Sequence, residues 1–125
     1  MTKKHNVRFL RLVQDAKTRI TEISANDTYA RMIAGESLNV IDCREHLEFL
    51  KSHIERARHL SKGLIERDIE ALFPNTDAEI ILYCGGGYRS AIAADNLEKM
   101  GYTKVRSMAG GFRAWKALGA PITSV

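Results

Sequence analysis

Cysteine is scarce: the 125 residues hold two, Cys43 and Cys84, with no Cys-x-x-Cys pair. That scarcity argues against a secreted scaffold held by disulfides and fits a cytoplasmic location. Metal-ligand spacing is also lacking. Cys43 and His46 stand three apart, but two candidate ligands do not make a site, and Cys84 lies far along the chain. We therefore expect no metal and no cofactor. No apolar run approaches the length of a membrane span, and no basic head leads into an apolar core as in a signal peptide. No repeat or low-complexity tract appears. What remains, 45% hydrophobic and 27% charged residues, is the ordinary composition of one globular domain.

Charge is unevenly placed. Residues 1–20 carry six Lys and Arg (Lys3, Lys4, Arg8, Arg11, Lys17, Arg19) against one acid, Asp15, out of a formal net charge of +4. The body is therefore near neutral, which argues against a nucleic-acid surface. The basic arm reads as the solvated face of a helix before it reads as a contact for an acidic partner or a membrane. We divide the chain into an N-terminal helical extension, residues 1–19, and a domain, residues 20–125.

Periodicity supplies the elements. "NVRFLRLVQDAKTRI" spaces Phe9, Val13, Ala16 and Ile20 at helical intervals, a face suited to docking on the domain. A short strand, "TEIS", precedes the helix "NDTYARMIAG", for which an Asn or Asp cap is expected. "LNVID" is a buried strand ending at Asp42, followed by the helix "REHLEFLKS" and the brief strand "ARHL". "GLIERDIEALF" is helical up to Pro74, and "AEIILYC" is the clearest strand. "RSAIAADNLEKM" is the clearest helix, "KVRSM" the last strand, and "FRAWKALG" a helix after Gly110–Gly111. Strands alternating with helices imply an α/β fold with a parallel sheet covered on both faces. The binding crevice of such a sheet lies at the carboxyl ends of its strands, where Asp42, Cys43 and Cys84 fall.

The segment "ILYCGGGYRSAIAADNL" concentrates the chemistry. Gly85, Gly86 and Gly87 permit backbone conformations closed to other residues, so that successive N–H groups turn inward as an anion-binding nest. A helix beginning near Arg89 or Ser90 adds its positive end, and Arg89 adds a fixed charge. Cys84 at the centre is thereby placed to act as a thiolate nucleophile toward an anionic substrate. A structural cysteine beside a glycine-rich turn is the plainer reading, but it leaves three consecutive glycines before Arg-Ser unexplained. Cys84 to Arg89 is Cys-x4-Arg, one residue shorter than the Cys-x5-Arg of cysteine-dependent phosphatases, so the loop suits something smaller than phosphate.

These residues, with "VIDCRE-x2-EF", "SHIERARHL" and "MAGGFRAWKALGAPI", resemble the single-domain rhodanese family of sulfurtransferases over most of residues 20–122. The resemblance implies a three-layer α/β/α fold with a five-stranded parallel sheet, to which the N-terminal helix is an addition. It implies a persulfide on Cys84, held by the backbone of Gly85, Gly86, Gly87, Tyr88, Arg89 and Ser90, and covalent ping-pong transfer. The implied partners are a small anionic sulfur donor such as thiosulfate, a cyanide or thiol acceptor, and a sulfur-relay protein. Arg89 is the candidate for attracting the donor, Tyr88 for the pocket mouth, and Asp42 with Arg44 for a buried ion pair that supports the loop. Cys43 is either a thiol that resolves Cys84 as a disulfide or a small packed residue. His53 and His59 are read as structural, and Phe112 and Trp115 as core. Where the family has "GHIPGA" this chain has "SHIERA", a departure that bears on the shape of that connecting loop and not on the cysteine loop. Thiosulfate-preferring members often carry basic side chains inside the cysteine loop, and this one has none before Arg89, so mercaptopyruvate or a protein persulfide also stands as donor. Two other classes compete: a phosphatase or arsenate reductase on the same fold, and a binding module without chemistry.

Overall fold

The computed structural model describes residues 5–124. In chain order it consists of α1 (Val7–Lys17), β1 (Thr21–Ser24), α2 (Ala25–Ile33), β2 (Val40–Asp42), α3 (His46–Lys51), β3 (Ser52–Ile54) and β4 (Arg58–His59). There follow α4 (Ile65–Leu72), β5 (Glu79–Tyr83), α5 (Tyr88–Lys99), β6 (Lys104–Ala109), α6 (Gly111–Ala117) and β7 (Ile122–Ser124).

Five strands form one parallel sheet in the order β1-β6-β5-β2-β4. Because side chains alternate across a strand, β5 serves two cores. Ile80 and Leu82 join Ile65, Ile69, Ala93, Ala94 and Leu97 on the face covered by α4 and α5. Ile81 and Tyr83 join Ala25, Met108, Phe112 and Trp115 on the face covered by α2 and α6. The expected three-layer α/β/α architecture is what the chain adopts.

Three local features differ from the sequence reading or extend it. The cap of α2 is Ser24, whose hydroxyl accepts from the Asp27 N–H at 2.9 Å, and not Asn26 or Asp27. The helix starts earlier because Ala25 and Asn26 already belong to its first turn. A small antiparallel sheet, β3 with β7, was not anticipated; it pairs Ser52–Ile54 with Ile122–Ser124. In the segment "SHIERARHL" the backbone turns at 54–57, with the Ala57 N–H donating to Ile54 O at 3.0 Å. Arg56 has φ 71°, the left-handed conformation needed at the third position of a type II turn. Thus Arg56, standing where the resembling family carries glycine, retains the glycine-like backbone.

α1 docks against α5. Val13 and Ala16 are buried, and beyond the helix the Arg19 guanidinium clamps Asp95 of α5 through Nε–Oδ1 and Nη2–Oδ2 bonds of 2.9 Å each. Among the described residues no helix is long and apolar enough to cross a membrane.

Candidate active site

The site lies at the carboxyl end of β5, where the strand hands over to α5. Cys84 follows Tyr83 directly and is 1% exposed. The Cys84 Sγ accepts the Gly87 N–H at 3.1 Å and the Ser90 N–H at 3.4 Å, and its S–H faces the Ser90 Oγ at 3.4 Å. Ser90 Oγ in turn bonds Ser107 Oγ on β6 at 2.8 Å, so the hydroxyl beneath the sulfur is fixed from a neighbouring strand.

The loop is shaped from behind by α6. The Phe112 N–H donates to Cys84 O at 2.7 Å and the Arg113 N–H to Gly85 O at 3.1 Å. In a planar trans peptide the carbonyl and the following N–H point in opposite directions. With the carbonyls of Cys84 and Gly85 held toward α6, the N–H groups of Gly85 and Gly86 point away from it, which leaves them free of the α6 contacts that fix the loop. Gly111 makes the approach possible: its φ is +55°, and a Cβ there would lie 2.4 Å from Cys84 O. On the opposite side Gly87, φ +94°, sets the left-handed turn that starts α5 at Tyr88, one residue before the expected start.

The cavity over the loop measures about 580 Å³. Cys84, Gly85, Gly86, Tyr88 and Arg89 line it, as the sequence suggested, but so do Glu48, Arg113, Phe9 and His5. Arg89 is not an unpaired cation. Its guanidinium binds Glu48 of α3 at 2.9 and 3.3 Å, and this partnership holds the Glu48 carboxyl below its ordinary range. Glu48 also accepts the Glu45 N–H in a capping box.

Asp42 and Arg44 form the expected buried pair. Arg44 Nη2 reaches Asp42 Oδ2 at 2.8 Å and donates to Ser52 O at 2.6 Å, while its guanidinium covers the Phe112 ring at 4.4 Å. The pair thus joins the end of β2, the start of β3 and α6. Cys43 follows the end of β2 as Cys84 follows the end of β5: its N–H donates to Tyr83 O, and it is 1% exposed. Burial, with Cys84 and Asp42 nearby, pushes its thiol well above the ordinary range. Both cysteines are free thiols. His53 Nδ1 and His59 Nε2 are engaged by the carbonyls of Phe49 and Arg44. Phe112 and Trp115 are core, as expected.

Glu48 and Arg113 were not singled out from the sequence, although both stand inside quoted blocks, "VIDCRE-x2-EF" and "GGFRAW". Nothing in the sequence marked His5.

An α/β domain with a parallel sheet and a cysteine in a backbone cradle at a strand end defines the class, and comparison with known proteins gives the family. Residues 24–118 match the Rhodanese-like domain, and the chain belongs to that family. It is 36% identical over 96 residues to the Bacillus subtilis protein named "Putative sulfur carrier protein YrkF", covering 77% of this chain and 51% of the relative. The chain thus spans about half the length of that relative. A "Sulfurtransferase" of Allochromatium vinosum is 29% identical over 105 residues, 84% of this chain and 96% of the other. Among solved structures, RPA3614 of Rhodopseudomonas palustris, described as a "Possible Tyrosine Phosphatase", superposes with a TM-score of 0.85 at 27% identity, covering 98% of this chain and 99% of that one.

Proposed function

We propose that the chain, an extension 1–19 whose α1 packs on α5 and a domain 20–125, is a sulfurtransferase working through a persulfide on Cys84 in a cytoplasmic setting. The observation that carries the reading is the pair of N–H donors, from Gly87 and Ser90, already directed at the Cys84 Sγ in a loop with only four residues between Cys84 and Arg89. The Cys84 sulfur attacks the outer sulfur of a donor such as thiosulfate. An S–S bond forms, the S–S bond of the donor breaks, and sulfite leaves with its electron pair. The terminal sulfur of the persulfide then occupies the cradle, where the N–H groups of the loop offset its charge. Cyanide or a thiolate attacks that sulfur, giving thiocyanate or a new persulfide, and Cys84 departs as the anion. The sulfurtransferase relatives support this reading. The name of YrkF supports a version in which a protein partner loads or unloads Cys84. Asp42 and Arg44 have a supporting role, and the buried, protonated Cys43 is a packed residue rather than a resolving thiol.

The phosphatase reading rests on the description of RPA3614. The short Cys-x4-Arg loop argues against it. The deciding experiment is an intact mass of the reduced protein after incubation with thiosulfate, beside a Cys84→Ser control. A gain of one sulfur, absent in the control and released by cyanide as thiocyanate, is expected. Turnover of a phosphate monoester with no sulfur adduct would replace this reading with the phosphatase. Neither adduct nor turnover would leave a binding module.

A further inference from the structure

The cavity of about 580 Å³ over Cys84 is walled by rings as well as by glycines and charged groups. Its walls come from four places, the cysteine loop, α3, α6 and the N-terminal segment of His5 and Phe9, and the last lies outside residues 24–118. At the mouth, three rings gather. His5 lies 4.5 Å from the Tyr88 ring and 5.3 Å from Phe9, and Phe9 stands 6.3 Å from Tyr88. Lys17 Nζ sits 5.7 Å from the Tyr88 ring centroid, helping to fix that ring.

Charge in the cavity is similarly arranged. Arg89 and Glu48 neutralise each other. Among the described residues Arg113 has no ion pair and no side-chain hydrogen bond, and its Nη1 lies 3.6 Å from where a Cβ of Gly86 would stand, at the tip of the loop. The backbone of Arg113 is bonded to Gly85 O, so this cation is registered to the cradle itself. One uncompensated guanidinium at the loop tip and an aromatic wall beside it form a site with two ends.

We propose that Arg113 is the anion-binding residue of the site, and that His5 and Phe9, with Tyr88, make it selective for an anionic sulfur compound with a flat apolar body over a small inorganic one. This rests on the sulfurtransferase reading and extends it to the substrate class. In the complex the sulfane sulfur meets Cys84, the anionic leaving group faces Arg113, and the apolar body lies against the rings. The N-terminal helix is then part of the specificity apparatus as well as a packing element.

Benzenethiosulfonate and methanethiosulfonate test this, since they share an anionic thiosulfonate and differ in the ring. Attack by Cys84 on the outer sulfur forms the persulfide and releases the corresponding sulfinate with the electron pair. Wild-type protein should prefer the aromatic donor by roughly tenfold in kcat/KM, the scale of an aromatic contact plus burial. Phe9→Ala and His5→Ala should bring the ratio toward one, with Phe9→Leu intermediate. Arg113→Ala should raise KM for both donors roughly tenfold or more with kcat little altered, and Arg113→Lys should restore part of the loss. Equal use of the two donors, or a ratio unmoved by the Phe9 and His5 variants, would overturn the aromatic wall. An unchanged KM in Arg113→Ala would overturn the anion site. Calorimetric binding of benzenesulfinate and methanesulfinate to Cys84→Ser protein keeps the tests separate. If no donor adds sulfur to Cys84, the sulfurtransferase reading fails, and the sulfinate comparison, with and without Arg113, still decides the pocket.

Discussion

Gly111→Ala is the substitution whose effect the geometry specifies most closely. The residue has φ +55°, which costs a side chain about 1–2 kcal/mol. The new methyl would stand 2.4 Å from Cys84 O and 2.8 Å from both the C and O of Gly85. These are backbone atoms and cannot rotate aside. Restoring ordinary contact means moving the loop and α6 apart by roughly 1 Å, a displacement of the size that can cost a catalytic step about a hundredfold. It also stretches the Phe112–Cys84 and Arg113–Gly85 hydrogen bonds, each contributing about 1 kcal/mol. Together these terms predict a destabilisation of about 3–4 kcal/mol. Urea unfolding measures the stability. The rate of sulfite release on mixing with thiosulfate, under single-turnover conditions, measures the cradle. Gly63→Ala serves as control, because nothing lies within 4 Å of its added carbon and its backbone is not left-handed. If Gly111→Ala behaves like that control in both assays, the loop is not shaped by the α6 turn. Lost stability with an undiminished rate would refute the link between turn and cradle.

Two further substitutions probe the frame around the site. Arg56→Gly should stabilise the protein by about 1 kcal/mol, read as a higher urea midpoint, since it relieves a left-handed backbone; Glu55→Pro should not help, because the Glu55 N–H donates to Pro121 O. Asp42→Ala should cost about 3–5 kcal/mol by leaving the buried Arg44 guanidinium without its carboxylate, and a loss under about 1 kcal/mol by the same method would show that the pair is not structural.

The parts of this molecule governed by local pattern were legible in its sequence. β5 announces itself as an apolar run because both its faces are buried, Ile80 and Leu82 in one core, Ile81 and Tyr83 in the other. The cysteine loop was legible for the same reason: glycine, cysteine and helix start are contiguous. Pairing between distant short segments was not. β7 is three exposed residues that pair with Ser52–Ile54, and no periodicity names a partner 70 residues away. The ion pair of Arg89 with Glu48 depends on α3 returning to the mouth of the loop, so Arg89 looked unpaired in sequence. His5 reaches the cavity only because Val13 and Ala16 seat α1 on α5 and Arg19 clamps Asp95. That arrangement could not be drawn from a helical face alone, which says that a helix docks but not where its first residues end up.

The place of β5 in the strand order has a consequence for how the molecule fluctuates. Sheets open from their margins, where strands have one neighbour, and here the margins are β1 and the two-residue β4. β5 is third of five, bonded on both sides and packed on both faces. Its amides should be among the last to exchange with solvent. The chain can therefore fray at its edges, or let α1 lift from α5, while the strand that presents Cys84 keeps its position. Cys84 thus follows directly on the most enclosed strand of the sheet.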